Sequence, residues 1–267
     1  MTDDKFILIS TSFLANSKPH HRRRVLKKAI GQLPEMTKKK VEGLQRGKEE
    51  YEVDAILGPN ANTVLVGEEG GGSIMVGLFA ETARINHACR PNAHSRFSER
   101  RLTMEVMAHL SILPGEEITM SYIPITTPIK ERQQYLKQHW GFDCTCSLCR
   151  SSEEHIEETE SWRRQQKSLK ASIQEATGGG FYSDAIAMSG DWLQFADWDM
   201  VPPLWPDYEE SLADLYFKNG DMVNATRYAR MAYDGWAKFG SVDDEKLEDA
   251  RLLVEKLDKI NEEKRHK

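Results

Sequence analysis

Cysteine is scarce in this chain: there are four, and none lies outside residues 89–149. Long apolar runs are missing too, since nothing approaches the ~18 consecutive apolar residues that a bilayer-spanning helix needs. The opening residues, Met1-Thr2-Asp3-Asp4-Lys5, are acidic, and no basic region leads into an apolar stretch, so no secretory signal is visible. Nor is there an excess of positive charge. The formal charge of −6 argues against a nonspecific grip on nucleic acid, although basic residues cluster locally at 20–28 and 38–40. These absences lead to the expectation of an intracellular protein, in the nucleus or the cytoplasm, with no membrane contact and no direct nucleic-acid partner.

What is present is a globular composition. A hydrophobic share of 39% against 29% charged residues is enough for at least one core. The cysteines are grouped: Cys144, Cys146 and Cys149 form a C-x-C-x-x-C cluster, and Cys89 lies far upstream. Two disulfides or four unrelated thiols are the alternatives to a metal site. Cys144 and Cys146 are too close to pair comfortably with one another, and a reducing compartment disfavours disulfides, so spacing and compartment favour zinc. Four thiolates would complete a tetrahedral site with no position left for water. Such a site is structural, and it would staple residues 144–149 across Cys89.

Along the chain, residues 5–10 read as a short strand and 22–44 as helical. Leu26, Ala29, Ile30 and Leu33 recur at the spacing of one helix face, with basic residues opposite, and Pro34 divides the stretch into two helices. The basic face is a solvated surface or a contact for an acidic partner. Residues 68–73 (Glu-Glu-Gly-Gly-Gly-Ser) predict a flexible loop; no Lys-Ser/Thr follows, so it is not a phosphate cradle. Residues 93–107 predict a strand pair around Ser98-Glu99-Arg100-Arg101, with Leu102, Met104 and Val106 alternating against Thr103, Glu105 and Met107. Ile118, Met120 and Tyr122 continue the alternation after the Pro114-Gly115 turn. A helix over 130–139 places Tyr135 and Leu136 on one side.

Beyond Arg150 the pattern becomes helical throughout. A charged helical linker over 151–176 ends at Gly178-Gly179-Gly180, and helices follow near 181–195, 207–218, 222–238 and 244–262. Ala225, Tyr228, Ala229, Ala232 and Trp236 form one stripe; Ala250, Leu253, Val254 and Leu257 form another. Lys218-Asn219-Gly220-Asp221 predicts an αα-hairpin turn. Small residues facing large ones resemble tetratricopeptide packing, without a clean repeat period.

Three motifs in order carry a more specific resemblance. Asn86-His87-Ala88-Cys89-Arg90-Pro91-Asn92, then Gly115-Glu116-Glu117-Ile118 with Ser121-Tyr122, then the C-x-C-x-x-C cluster, resemble the C-terminal half of a SET domain and its post-SET zinc segment. The order of the motifs and the helical tail are most similar to the SET-and-MYND branch, in its MYND-less fungal form. The resemblance implies an α+β fold: a partial SET β-fold with helical insert over 1–127, a post-SET helix and zinc cluster over 128–150, and a helical, tetratricopeptide-like region over 151–267. It also implies an S-adenosylmethionine-dependent lysine methyltransferase acting on a protein or peptide. Carried over by position, Tyr122 would be the active-site tyrosine. Asn86 and His87 would meet the cofactor, Phe142 would cover the adenine or line the lysine channel, and Asn62 (or Asn60) would be a further cofactor-facing asparagine. Cys89, Cys144, Cys146 and Cys149 would hold structural zinc.

The pattern departs from the family in three places. Residues 1–57 contain no match to the Gly-x-Gly turn and strand that embrace the methionine part of the cofactor, so the expectation is a chain lacking the opening SET strands and impaired in catalysis. Ala88 stands where serine is usual, and no MYND module is present. A non-catalytic, zinc-stapled interaction module is therefore the rival reading. Residue by residue, Tyr122 is otherwise a strand-end residue, His87 a satisfied core histidine, and Glu116 and Glu117 hydrogen-bonders or surface charges.

Overall fold

A computed structural model describes residues 2–3, 6–67, 72–199, 204–240 and 245–265. Most of the expected glycine loop, 68–71, lies outside those residues. The chain divides into two compact units. One takes in Met1–Tyr122 and Lys130–Cys144, the other Ile123–Ile129 and Thr145–Lys267. No helix among the described residues is long and apolar enough to cross a membrane.

The first unit opens with β1 (Thr2–Asp3) and β2 (Phe6–Ser10) and continues through α1 (Thr11–Asn16), α2 (Pro19–Gly31), α3 (Glu35–Glu42) and α4 (Glu52–Asn60). Pro34 ends the helical run as expected: lacking an N–H, it sits as the N-cap of α3. Leu26 and Ile30 of α2 are buried with Ile7, Ile9, Val41, Val53, Ile56 and Leu78. Burying each such side chain contributes roughly 1.5–3 kcal/mol, so this cluster holds the helices on the sheet. The helix α4 is not legible as a helix in the sequence, because Gly58 and Pro59 fall inside its last turn.

The strands β3 (Ala61–Val66) and β4 (Ser73–Phe79) follow, and β4 pairs antiparallel with β2 on one side and β3 on the other. After a 3-10 turn at Thr82–Arg84 come β5 (Asn86–His87), β6 (Ala93–Ser98), β7 (Thr103–Ala108) and β8 (Thr119–Met120). The β7 strand lies between β1 and β6, and β5 pairs in parallel with β8, Asn86 opposite Thr119. Val64, Phe79 and Met104 pack together and join the two larger sheets.

Three strand expectations need correction. Leu102 is not a strand residue: it closes the β6–β7 turn at φ 51° and is exposed. The expected alternation fails along β7, where Thr103, Met104, Glu105 and Val106 are all buried. This is a central strand covered on both faces, and the buried Glu105 carboxylate is neutralised by Arg96 Nε at 2.7 Å and Arg101 Nη1 at 3.0 Å. The strand expected through Ile118, Met120 and Tyr122 shrinks to Thr119–Met120, with Ile118 exposed. The helix α5 (Ile129–His139) ends the unit's secondary structure, with Arg132 and Leu136 buried and Tyr135 exposed instead of sharing the covered side.

The second unit is helical: α6 (Glu153–Gly178), α7 (Tyr182–Asp199), α8 (Trp205–Lys218), α9 (Met222–Phe239) and α10 (Glu245–Arg265). The Ser152 and Asp221 side chains cap α6 and α9 by accepting backbone N–H groups of His155 and Asn224. Ala225, Ala229 and Ala232 of the α9 stripe are fully buried and Trp236 nearly so; Ala213 and Leu257 close the same core. Gly235 lets α8 approach closely, because a Cβ there would meet Pro206 Cγ at 2.5 Å. The Ile123–Ile129 segment is pinned to α6. Arg163 Nε donates to the Ile125 carbonyl at 3.0 Å, and the Ile129 N–H donates to Glu160 Oε2 at 2.9 Å.

Candidate active site and metal centre

Short polar contacts hold Tyr122 against the chain from Ile85 to His87. Its phenol O–H donates to the Ile85 carbonyl at 2.7 Å, and its backbone N–H donates to His87 Nδ1 at 3.0 Å. With Nδ1 acting as acceptor, the neutral ring carries its proton on Nε2, which faces Cys89 Sγ at 3.4 Å. His87 is therefore a satisfied histidine, and its ring bridges Tyr122 and a cysteine of the cluster. Around Tyr122 stand three rings: Trp140 at 5.1 Å, His87 at 5.2 Å and Phe142 at 6.5 Å between centroids. Burial, and secondarily the Glu117 carboxylate, push the Tyr122 phenol above its ordinary range. It stays a neutral hydroxyl at physiological pH, with oxygen lone pairs able to accept from an amine.

The segment leading into Tyr122 is clipped by side chains. Asn92, buried, donates from Nδ2 to the Glu117 carbonyl at 2.9 Å and accepts the Thr119 N–H on Oδ1 at 2.9 Å. One asparagine thus takes the place of a strand partner, which is why β8 stays short. Asn86 Nδ2 donates to Glu117 Oε1 at 2.6 Å, leaving Asn86 Oδ1 as an acceptor. Glu116 accepts the Leu113 N–H at 2.9 Å. Both glutamates are hydrogen-bonders, not an acid/base pair.

Sequence reasoning missed Trp140 and Gln133. The Trp140 indole N–H donates to the Pro59 carbonyl at 2.8 Å, tying the end of α4 to the ring beside Tyr122. The signal that could have found it is the aromatic run His139-Trp140-Gly141-Phe142. Gly141, at φ 79°, ends α5 in the left-handed region and turns Phe142 back toward Tyr122. Gln133 holds Cys144 by two bonds: Nε2 to its carbonyl at 3.0 Å, and its N–H to Oε1 at 2.8 Å. The two asparagines proposed for the cofactor part company. Asn60 is buried and donates to the Gln45 and Ile56 carbonyls at 2.6 and 2.7 Å. Asn62 lies in β3 opposite Gly77, and among the described residues no hydrogen bond or ring contact links it to Asn86, His87, Tyr122 or Phe142.

The four cysteines form no disulfide, and their sulfurs lie within 4.8 Å of one another. Cys89 and Cys144 are buried, with their sulfurs 3.8 Å apart. A tetrahedron with metal–sulfur bonds of about 2.3 Å separates its corners by about 3.8 Å. The donor set therefore fits a closed four-thiolate metal site. None of these residues lines the cavity of about 500 Å³ in the helical unit, which is bounded by Lys170, Ser189, Trp192 and Tyr208 among others.

In comparison with known families, residues 5–123 match the SET-domain family. The match runs N-terminal of the motif-bearing stretch, through the helices α1 to α4, and stops before Cys144. Among curated relatives, the histone-lysine N-methyltransferase set5 of Schizosaccharomyces pombe is 36% identical over 111 residues, covering 41% of this chain and 33% of that protein. Human histone-lysine N-methyltransferase SMYD3 is 26% identical over 117 residues, covering 42% of this chain and 27% of its own. Mouse histone-lysine N-methyltransferase Smyd1 is 26% identical over 196 residues, covering 62% of this chain and 39% of its own. The chain thus spans about a third of the length of these relatives. In the SET domain, Tyr122 closes the matched segment and Asn86-His87 lies within it.

Proposed function

We propose that this chain is an S-adenosylmethionine-dependent protein-lysine N-methyltransferase whose active-site tyrosine is Tyr122. The observation that carries the reading is the double attachment of Tyr122, by hydroxyl and by backbone, to the Ile85–His87 stretch of a SET domain. The residues present suit the cofactor. Asn86 offers a free Oδ1 acceptor to an ammonium group, and Phe142 and Trp140 offer ring faces to adenine and to a sulfonium. Asn62 is retained as a further contact on the resemblance alone. When bound, S-adenosylmethionine supplies an electrophilic methyl group.

The Tyr122 hydroxyl accepts an N–H of the substrate lysine and aims its lone pair, so that positioning supplies most of the rate. Transfer requires a neutral amine, and the rings of His87, Trp140 and Phe142 exclude water that would favour the ammonium form. Zinc on Cys89, Cys144, Cys146 and Cys149 is structural, and through Cys89 it steadies the His87 ring. The helical unit, with its small-residue stripes, is read as a tetratricopeptide-like region. The substrate is a lysine of a histone or another protein, which places the activity in the nucleus or the cytoplasm.

Two measurements test this. Calorimetry with S-adenosylmethionine is expected to give one binding event, and tritiated cofactor is expected to label histones or a lysine peptide. Absence of any cofactor binding would leave only a non-catalytic SET-type interaction module.

A further inference from the structure

The helix α2 carries five lysines and arginines and no acidic residue along Pro19–Gly31. Two of the five are spent within the first unit. Arg22 and Arg23 pair with Asp54 at 3.5 and 3.0 Å, and Arg23 also lies over the Tyr51 ring. The other three, Arg24, Lys27 and Lys28, are exposed and have no ion pair among the described residues. With His20 they occupy positions i, i+4, i+7 and i+8, which share one helix face. Leu26 and Ile30 point the opposite way, into the core. Gly31 continues the exposed stripe, and its Cβ position is open, with nothing within 4 Å.

We infer that this face is a docking surface for the phosphate backbone of double-stranded DNA. Charge complementarity supplies the attraction, and the shape of the stripe argues for this partner over an acidic protein. A protein interface needs apolar anchors near its centre, and His20, Arg24, Lys27, Lys28 and Gly31 supply none. Arg24 and Lys28 stand one helical turn apart, about 6 Å along the axis, with Lys27 between them. Cations at that interval reach successive phosphates without base contacts, which gives sequence-independent binding. The chain's formal charge of −6, which led to the expectation of no nucleic-acid partner, acts only weakly at this local basic face, because charges more than about 10 Å away are screened at ordinary salt. The inference does not depend on the methyltransferase reading, since none of these residues belongs to the Tyr122 site.

The test is fluorescence anisotropy of the full chain with a labelled 20-base-pair duplex of arbitrary sequence. Three phosphate contacts predict an affinity that falls about 40-fold between 50 and 200 mM salt, a log–log slope near −2.7. The triple variant Arg24→Ala, Lys27→Ala, Lys28→Ala is expected to bind at least ~10-fold more weakly at 50 mM salt and to lose most of that slope. Its circular dichroism should not change, because all three side chains are solvent-facing. Lys218→Ala, which removes a lysine paired to Asp214 in the helical unit, is expected to bind like the parent. No duplex binding at 50 mM salt, or equal binding by the triple variant, overturns the inference. Capture of a polyglutamate peptide in place of DNA does so as well.

Discussion

His87 receives the backbone N–H of Tyr122 on its Nδ1 at 3.0 Å and turns its other ring nitrogen toward Cys89 Sγ at 3.4 Å. One imidazole thereby couples the segment bearing Tyr122 to the sulfur cluster. His87→Phe keeps the ring volume and removes both contacts. Leaving a partly buried N–H unsatisfied costs about 1–3 kcal/mol, to be read as a lower urea midpoint. Chelator competition should also strip metal from the variant faster. Unchanged stability together with unchanged metal retention would show that the ring is only a spacer.

Removing the Tyr122 hydroxyl separates chemistry from folding. Tyr122→Phe loses one hydrogen bond, to the Ile85 carbonyl, at about 1 kcal/mol, while the ring contacts with Trp140 and Phe142 persist. Turnover is expected to fall about 100-fold or more for lack of an oriented amine. A methylation rate equal to the parent's would take Tyr122 out of the site.

Metal content gives a direct reading of the four thiols. Native mass spectrometry should find one zinc ion per chain, and Cys89→Ser should lower occupancy. A chelator is expected to raise amide exchange across residues 144–149, with a smaller rise at residues 87–89. Protection that survives complete metal removal would mean that packing alone holds the segment.

Acid should weaken the first unit through His109. Burial, and then the neighbouring His94, hold its pKa down at about 4, against an opposing hydrogen bond to the Pro91 carbonyl. The unfolded chain binds this proton near pH 6.5 and the folded chain only near 4. Stability from this group is therefore complete above pH 6.5 and is lost as pH falls toward 4. His109→Gln keeps a donor for Pro91 and lacks the titration, so its urea midpoint should fall less than the parent's between pH 7 and 4.5. Parallel curves would assign the acid sensitivity to other groups.

Some of this was written in local patterns. The interruption at Pro34, the α9 stripe of Ala225, Ala229, Ala232 and Trp236, and the turn at Gly220 were legible, because helix period and backbone restriction act over a few residues. The expected alternation in β7 failed at Glu105. Its burial depends on Arg96 and Arg101 reaching the same carboxylate, which no single strand announces.

By itself the sequence determined the grouping of four thiols, the Asn86-His87 and Tyr122 motifs, and the helical character beyond residue 150. Each of these is a matter of residue type and short spacing. Tertiary structure alone decided that Trp140 and not only Phe142 walls Tyr122, that Gln133 grips Cys144, and that Asn60 is spent on backbone carbonyls. Those roles depend on which groups folding brings together, within about 3 Å for the hydrogen bonds of Gln133 and Asn60 and 5.1 Å between centroids for the Trp140 ring. A hydrogen bond of that length forms between groups that folding brings together, however far apart they stand in sequence.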